Sequence, residues 1–446
     1  MSAFRDALRN DNRRIGVWGL GYLGFSSMAY FARSGIACVG TDPIEQRVGE
    51  VNAGRTTIPN LAMWLGFDTE PLARAGLMRA TADWKELLGD DVAVHLISVP
   101  TEAMGQPYDH ALRDVLEKLA DRVPRSRDLP LLVIIESTLT PGKVDDLVIP
   151  VLESQGLRVG VDVLLGVAPR RDWFISPEKT VQTLPRVIGG TTAETTAMMA
   201  DVLGLVSERV LKASDHRHAA MVKSVENAYR HLDIALANQL SLAYPDLDVR
   251  EVLRLVGTKW NMDTYHPSFG TGGYCIPLAP KYVLEGAQRP DELSLLKLAI
   301  QTDVDQPRRV ARSLIARGAR RVGVLGLAYK GDLKVHTLSP TFPIVKELWA
   351  AGAVAKVHDP QFTHDELRRY LDPAVETFTF PDGLAEFDAV LVVADHLQYR
   401  SARPSELRAH LRRCRLILDN VGVWRDVPLD GIEYHVAGDR RWLGDV

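Results

Sequence analysis

Three groups of residues have types and spacings suited to chemistry. Gly19, Gly21 and Gly24 form GLGYLG directly after an apolar run and at the start of a helical pattern, and Asp42 follows at the end of the next apolar run. In such a loop the first glycine permits a tight turn. The second lets backbone amides approach a pyrophosphate at the positive end of a helix, and the third lets the helix pack closely. Gly19, Gly21, Tyr22, Leu23 and Gly24 would then hold the pyrophosphate. Asp42 would accept hydrogen bonds from the adenosine ribose hydroxyls, favouring NAD over a 2′-phosphorylated cofactor. A glycine turn in a cofactor-free α/β domain is the plainer reading of the same residues.

Cys275 stands in FGTGGYCIP, where Gly270, Gly272 and Gly273 let the backbone bend and present a thiol. A nucleophilic thiolate is the functional reading, and an inert packed cysteine the plain one. Lys223 and Asn227 are four apart in a stretch of helical periodicity, hence on one face. A partly desolvated lysine suits proton transfer there, and the amide suits an oxyanion or a water. The alternative is a solvated helix face with an ordinary charge.

These residues need a frame to hold them. Apolar runs at 14–19, 37–42, 92–99 and 129–137 alternate with helical stretches, the pattern of a parallel sheet covered on both faces. Shorter strands are expected at 163–167 and 186–190. From 216 to 243 the chain runs without Pro or Gly at helix spacing, a central spine. Alternation restarts near 320, with strands in VAKVHDP, at 388–395 and at 415–421. The expected fold is α/β, two Rossmann-like doubly wound domains joined by a long central helical spine. The domain divisions expected are 1–205, a helical 206–305, and 306–446.

The 446 residues suffice for about three domains of roughly 150 each. With 46% hydrophobic and 25% charged residues the chain is neither disordered nor coiled-coil. A formal charge of -4 with no long basic stripe argues against a nucleic-acid partner. No apolar stretch approaches the ~18 residues of a membrane span, and the polar start does not read as a signal peptide. Cys38, Cys275 and Cys414 are too few and too scattered for a disulfide framework or a zinc site, so a cytoplasmic home is expected. The histidines, including His266, His336 and His358, are dispersed, and no metal is expected.

Eight segments in order resemble the nucleotide-sugar dehydrogenases, the UDP-glucose and GDP-mannose 6-dehydrogenase family. They are GLGYLG, TDPIEQRVGEVNAGRTTIPN, SVPT, IESTLTPG, RVIGG, MVKSVENAYR, GTGGYCIP and GLAYKGD with SP at 339–340. The resemblance implies oxidation of a primary alcohol on a nucleotide-linked sugar to the carboxylate, with two NAD and no release of aldehyde. It makes Lys223 and Asn227 the groups that assist alcohol deprotonation and stabilise anionic intermediates. Cys275 is the nucleophile of a thiohemiacetal and a thioester, and Thr138 positions water near the nicotinamide. Pro100 and Thr101 would line the cofactor. Gly272, Gly273 and Lys330 would meet the substrate. The implied partners are a nucleotide-linked small molecule and a second copy of the chain, as a homodimer or higher assembly, in a polysaccharide or specialised pathway.

Three positions depart from the family pattern. Arg170 follows Pro169 where the family has glutamate, Ala279 stands where it has aspartate, and Thr337 where it has arginine. Two general bases and one anion clamp are thereby removed. Arg170, with Arg171 and Lys330, would instead offer positive charge to a more anionic ligand, such as a non-hexose nucleotide-activated alcohol. A register slip within PRRDWFISPEK would put Asp172 or Glu178 in the acid's place. A degenerate paralogue that binds NAD and nucleotide but only regulates is the remaining alternative.

Overall fold

The structure, a computed structural model, describes residues 3–56, 58, 61–122, 128–172 and 178–444. They pack as two compact units, residues 1–226 with 281–288, and 227–280 with 289–446.

In the first unit the strands are β1 (Arg14–Trp18), β2 (Cys38–Thr41), β3 (Met78–Thr81), β4 (Val92–Ile97), β5 (Leu131–Ile135), β6 (Val163–Val167), β7 (Arg186–Gly190) and β8 (Val210–Lys212). They lie in the order β8-β7-β6-β5-β4-β1-β2-β3, parallel except between β6 and β7. The inner strands are apolar runs because both faces are covered. Along β5, Ile134 belongs to the same core as Phe25, Met28 and Phe31 of helix α1 (Tyr22–Arg33), while Val133 and Ile135 belong to a second core with Leu112, Leu116 and Leu119. Strand order reverses at β1 and β4, and the loops leaving these strands at that point are GLGYLG and SVPT. A crevice at such a reversal is where doubly wound sheets bind ligands.

Helix α2 (His216–Ala243) is the expected spine, belonging to the first unit through Glu226 and to the second from Asn227. Helix α3 (Val249–Val256) begins at Asp248, whose side chain accepts from the Glu251 amide. Helix α4 (Ala279–Glu285) follows the cysteine segment, and α5 (Ser294–Ala316) leads into the second sheet. That sheet comprises β9 (Arg321–Leu325), β10 (Val354–His358), β11 (Glu376–Thr377), β12 (Ala389–Val392), β13 (Leu416–Asp419) and β14 (Glu433–Val436). Its order is β11-β10-β9-β12-β13-β14, parallel throughout. The order around β9 repeats that around β1, so both sheets are doubly wound, as expected. Besides a two-residue strand pair, Glu102–Ala103 with Gln106–Pro107, four strands of the two large sheets were not anticipated: β3, β8, β11 and β14. All four are sheet edges, bonded on one side only, short and partly polar, and so lack the continuous apolar run of a strand buried on both faces.

Candidate active site

The cofactor half is built around the end of β1. Gly19 has φ +89°, and a Cβ there would lie 2.7 Å from the Ser98 carbonyl oxygen. A Cβ on Gly24 would lie 1.8 Å from the Gly19 carbonyl oxygen. Both positions therefore require glycine, one for conformation and the other for contact. Gly21 differs: a Cβ there would meet nothing within 4 Å. The middle glycine faces open space at the start of α1, beside Tyr22 and Leu23. There the positive helix end suits a pyrophosphate, so these residues fit NAD.

Asp42 is buried at the end of β2. Its carboxylate accepts from the amides of Leu20 (2.8 Å) and Ile44 (3.0 Å) and from Arg47 (3.2 Å). It braces the glycine loop directly. Thr101 donates to the Thr138 carbonyl (2.7 Å), and Tyr282 of α4 donates to the Thr101 carbonyl. Ser137 donates to the carbonyl of Val99, next to Pro100 (2.7 Å). The two threonines border a cavity of about 180 Å³, also lined by Tyr108, His110, Lys143 and Tyr282.

Arg170 does not face a ligand, which corrects the expectation of a substrate-facing cation. It is buried, and all five of its N–H groups are taken. Nε and Nη2 grip the two Asp172 oxygens at 2.7 Å each, Nη2 also donates to Ser26 (2.8 Å), and Nη1 donates to Ser27 (2.6 Å) and the Leu23 carbonyl (3.0 Å). Asp172 is thus a buried partner of Arg170, while Glu178 is exposed. Residues 173–177 of PRRDWFISPEK lie outside the described residues. Arg171 donates to the Pro185 carbonyl (2.8 Å) and pairs with Glu226 on α2.

Behind the loop sits Glu136, which accepts from Ser27 (2.7 Å), Ser98 (2.8 Å) and Arg186 (2.6 Å). Burial opposes its charge, yet Arg186 and Arg170 hold its carboxyl below the ordinary glutamate range. Burial likewise opposes the Asp172 charge and Arg170 outweighs it.

The thiol half lies in the second unit, on a segment fastened from several sides. The Ser268 amide donates to Asn238 of α2 (2.8 Å), and its carbonyl accepts from Gln306 of α5 (3.1 Å). The Phe269 amide donates to Asn420 (2.8 Å). Asp303 of α5 takes both the amide and the hydroxyl of Thr271, each at 2.7 Å. The Gly273 amide donates to the Thr337 carbonyl (2.7 Å). Gly273 has φ +85°, and a Cβ there would meet the Tyr329 ring at 2.8 Å; one on Gly272 would meet the Tyr329 Cβ at 2.3 Å. Cys275 then emerges exposed, its carbonyl accepting the amide of Ala279 at the start of α4 (3.0 Å). Cys38 and Cys414 are buried. Burial pushes both thiols up, that of Cys414 to about 12.

Lys223 and Asn227 stand one turn apart on α2, as expected, with Asn227 buried. Its carbonyl oxygen accepts from Arg230 (3.3 Å), whose Nε donates to the Tyr265 hydroxyl (2.8 Å). Lys330 is half-buried. Burial lowers its pKa, Asp395 pulls it up and Arg230 pushes it down. Arg230, Asp303, Tyr282 and Tyr329 were missed from sequence. Only Arg230 had a local signal, three residues beyond Asn227 on the same face. Among the described residues no three His, Cys, Asp or Glu side chains are grouped to hold a metal, and no helix is long and apolar enough to cross a membrane.

A glycine loop shaped for a pyrophosphate at the reversal point of a parallel sheet defines a dinucleotide-dependent enzyme. Comparison with known proteins narrows the class. Residues 13–204 match the NAD binding domain of the UDP-glucose/GDP-mannose dehydrogenase family, 217–303 its central domain and 323–426 its UDP binding domain. The chain belongs to this family and is an NAD-dependent oxidoreductase of nucleotide-linked sugars. It is 28% identical over 435 residues to UDP-N-acetyl-D-mannosamine dehydrogenase of Pyrococcus horikoshii, covering 93% of this chain and 97% of that protein. A solved UDP-D-ManNAc dehydrogenase from the same organism has a TM-score of 0.81 at 26% identity, covering 97% of this chain and 100% of the other. A UDP-glucose dehydrogenase from Pyrobaculum islandicum shares the fold, with a TM-score of 0.82 at 23% identity, covering 96% and 98%.

Proposed function

We propose that the chain oxidises the primary alcohol of a UDP-linked 2-acetamido hexose, of the N-acetylmannosamine type, to the carboxylate in two steps through Cys275. The observation that carries the covalent step is the thiol itself: Cys275 alone of the three cysteines is exposed, at the end of a segment fastened residue by residue. The substrate class is supported by the P. horikoshii relative's name and by its near-complete coverage.

In this reading Lys223 accepts the alcohol proton, and the Asn227 amide donates to the developing oxyanion. The bond from Arg230 to the Asn227 carbonyl oxygen supports that role, because it leaves the amide's NH₂ group as the donor toward a ligand. The Cys275 thiolate adds to the aldehyde carbon, forming a C–S bond and a thiohemiacetal. After the second oxidation water attacks the thioester, the C–S bond breaks, and thiolate and carboxylate part. Thr138 positions that water. NAD, when bound by the glycine loop, supplies the hydride acceptor for each oxidation. Gly272, Gly273 and Lys330 serve the nucleotide sugar.

A three-part division at 1–205, 206–305 and 306–446, and a dimer formed through the central helices, belong to the same proposal. Apolar side chains left exposed on the second unit support the dimer: Tyr229 and Leu236 of α2, Val252 and Leu255 of α3, and Trp260 at 91% exposure. The test is NADH formation from UDP-N-acetylmannosamine, UDP-N-acetylglucosamine, UDP-glucose and GDP-mannose, with NADH counted per sugar consumed, beside Cys275→Ser. Two NADH per UDP-N-acetylmannosamine, lost in the variant, supports the reading. One NADH with release of aldehyde, or turnover that survives the substitution, overturns it.

A further inference from the structure

Three loops leave neighbouring strands of the first unit: the glycine loop after β1 into α1, the SVPT loop after β4, and the EST loop after β5. One buried group of charges reaches all three. Glu136 opens the EST loop and accepts from Ser98 of the SVPT loop and from Ser27 of α1. Arg170 spans the other side, taking the Leu23 carbonyl, Ser26 and Ser27 from the first turns of α1 and closing on Asp172. Arg186 ties Glu136 to the carbonyl of Ala168 (2.7 Å). The group holds two carboxylates and two guanidinium ions and so is neutral, and every oxygen of α1 that it touches lies within six residues of Gly21.

We infer that Arg170 is a positioning residue for NAD: it fixes the first turns of α1, and through them the amides that meet the pyrophosphate, and it makes no contact with the sugar nucleotide. The geometry excludes the converse role, because a guanidinium with five occupied donors has none left for a ligand. Only a planar five-donor fork reaches Asp172 with two bonds while also holding two serines and a carbonyl. A lysine offers three donors from one point and cannot reproduce this. The carboxylate partners have to be compensated wherever Arg170 is lost, since an unpaired buried charge is strongly unfavourable.

The inference concerns cofactor binding, so it is tested without turnover and stands or falls apart from the proposed substrate. Arg170→Lys keeps the charge. By tryptophan fluorescence or calorimetric titration its NAD Kd is expected to rise about tenfold, the effect of losing one or two charge-assisted bonds. The Kd for UDP-N-acetylmannosamine or UDP is expected to stay within about twofold of the parent protein, a change of a few tenths of a kcal/mol. Ser26→Ala with Ser27→Ala leaves all four charges in place and cuts only their link to α1. It is expected to weaken NAD in the same direction, and it keeps the test open if Arg170→Lys fails to fold. A merely structural role would lower thermal stability and leave the NAD Kd unmoved in both variants, which would overturn the inference. So would unchanged NAD binding with weakened nucleotide-sugar binding.

Discussion

Reactivity in this chain is decided atom by atom at the three cysteines. Native protein treated with iodoacetamide is expected to take up one equivalent, at Cys275, and three after denaturation; mass spectrometry of the labelled peptides checks this. Ala279, buried at the start of α4, and Arg170, turned inward, leave no carboxylate at the two positions where the family pattern has one. With no base at either position, thioester hydrolysis is expected to be the slow step. A rapid-mixing experiment should then show a burst of about two NADH per Cys275 before a slower steady rate, and Ala279→Asp should raise that steady rate several-fold. A linear trace from the first turnover would count against this. At this scale the sequence was informative wherever a residue type has one use. Gly19 and Gly24 stand out because only glycine tolerates their surroundings, and Cys275 because the glycines before it let the chain bend at an exposed thiol. Arg170 misled because sequence adjacency to Pro169 does not say which way a side chain turns, and its partners Ser26, Ser27 and Leu23 lie more than a hundred residues away.

The thiol segment shows what secondary elements add. Asp303, from the middle of α5, holds two atoms of Thr271, and nothing near Cys275 in sequence announces it. Asp303→Ala removes two charge-assisted bonds, each contributing about 1.5–3 kcal/mol at most. It is expected to lower kcat on the order of tenfold with little change in KM for the nucleotide sugar, and to slow alkylation of Cys275; equal losses in kcat and kcat/KM measured by NADH formation check it. The fold was legible at the same scale for a comparable reason. Strands buried on both faces, such as β5 and β12, are unbroken apolar runs. The edges β3, β8, β11 and β14 carry residues such as Arg79, Lys212, Glu376 and Glu433, and no run marks them.

Across the whole molecule, acid acts through buried histidines and through paired carboxylates. His266, His336 and His358 all belong to the second unit, and burial lowers all three, His358 to about 4. An unfolded histidine takes its proton near 6.5. The unfolded chain therefore binds more protons than the folded one between about 6.5 and 4, so stability from these groups is complete above that window and lost as pH falls through it. In the first unit Glu136 and Asp172 have folded values below the ordinary carboxylate range, so their contribution persists to about pH 4 and is lost only below it. Hydrogen exchange at pH 7.5 and 5 is expected to show amides of the second unit losing protection first, and His358→Phe to reduce that loss. In the proposed dimer, Trp260→Glu with Leu236→Glu should shift the mass seen by light scattering toward one chain.

Residues 281–288 fold with the unit that otherwise ends at 226, so the chain passes between the units three times. Neither unit is a single run of sequence. A gene exchange with one breakpoint would deliver a foreign thiol half whose α4 no longer matches its host. Tyr282, which fastens α4 to Thr101 beside the cofactor, would arrive facing a loop it had not evolved with. Relatives with different substrates are therefore expected to have diverged by substitution in place rather than by trading halves, and a chimera that exchanges a whole unit while keeping that tyrosine with its threonine needs three junctions.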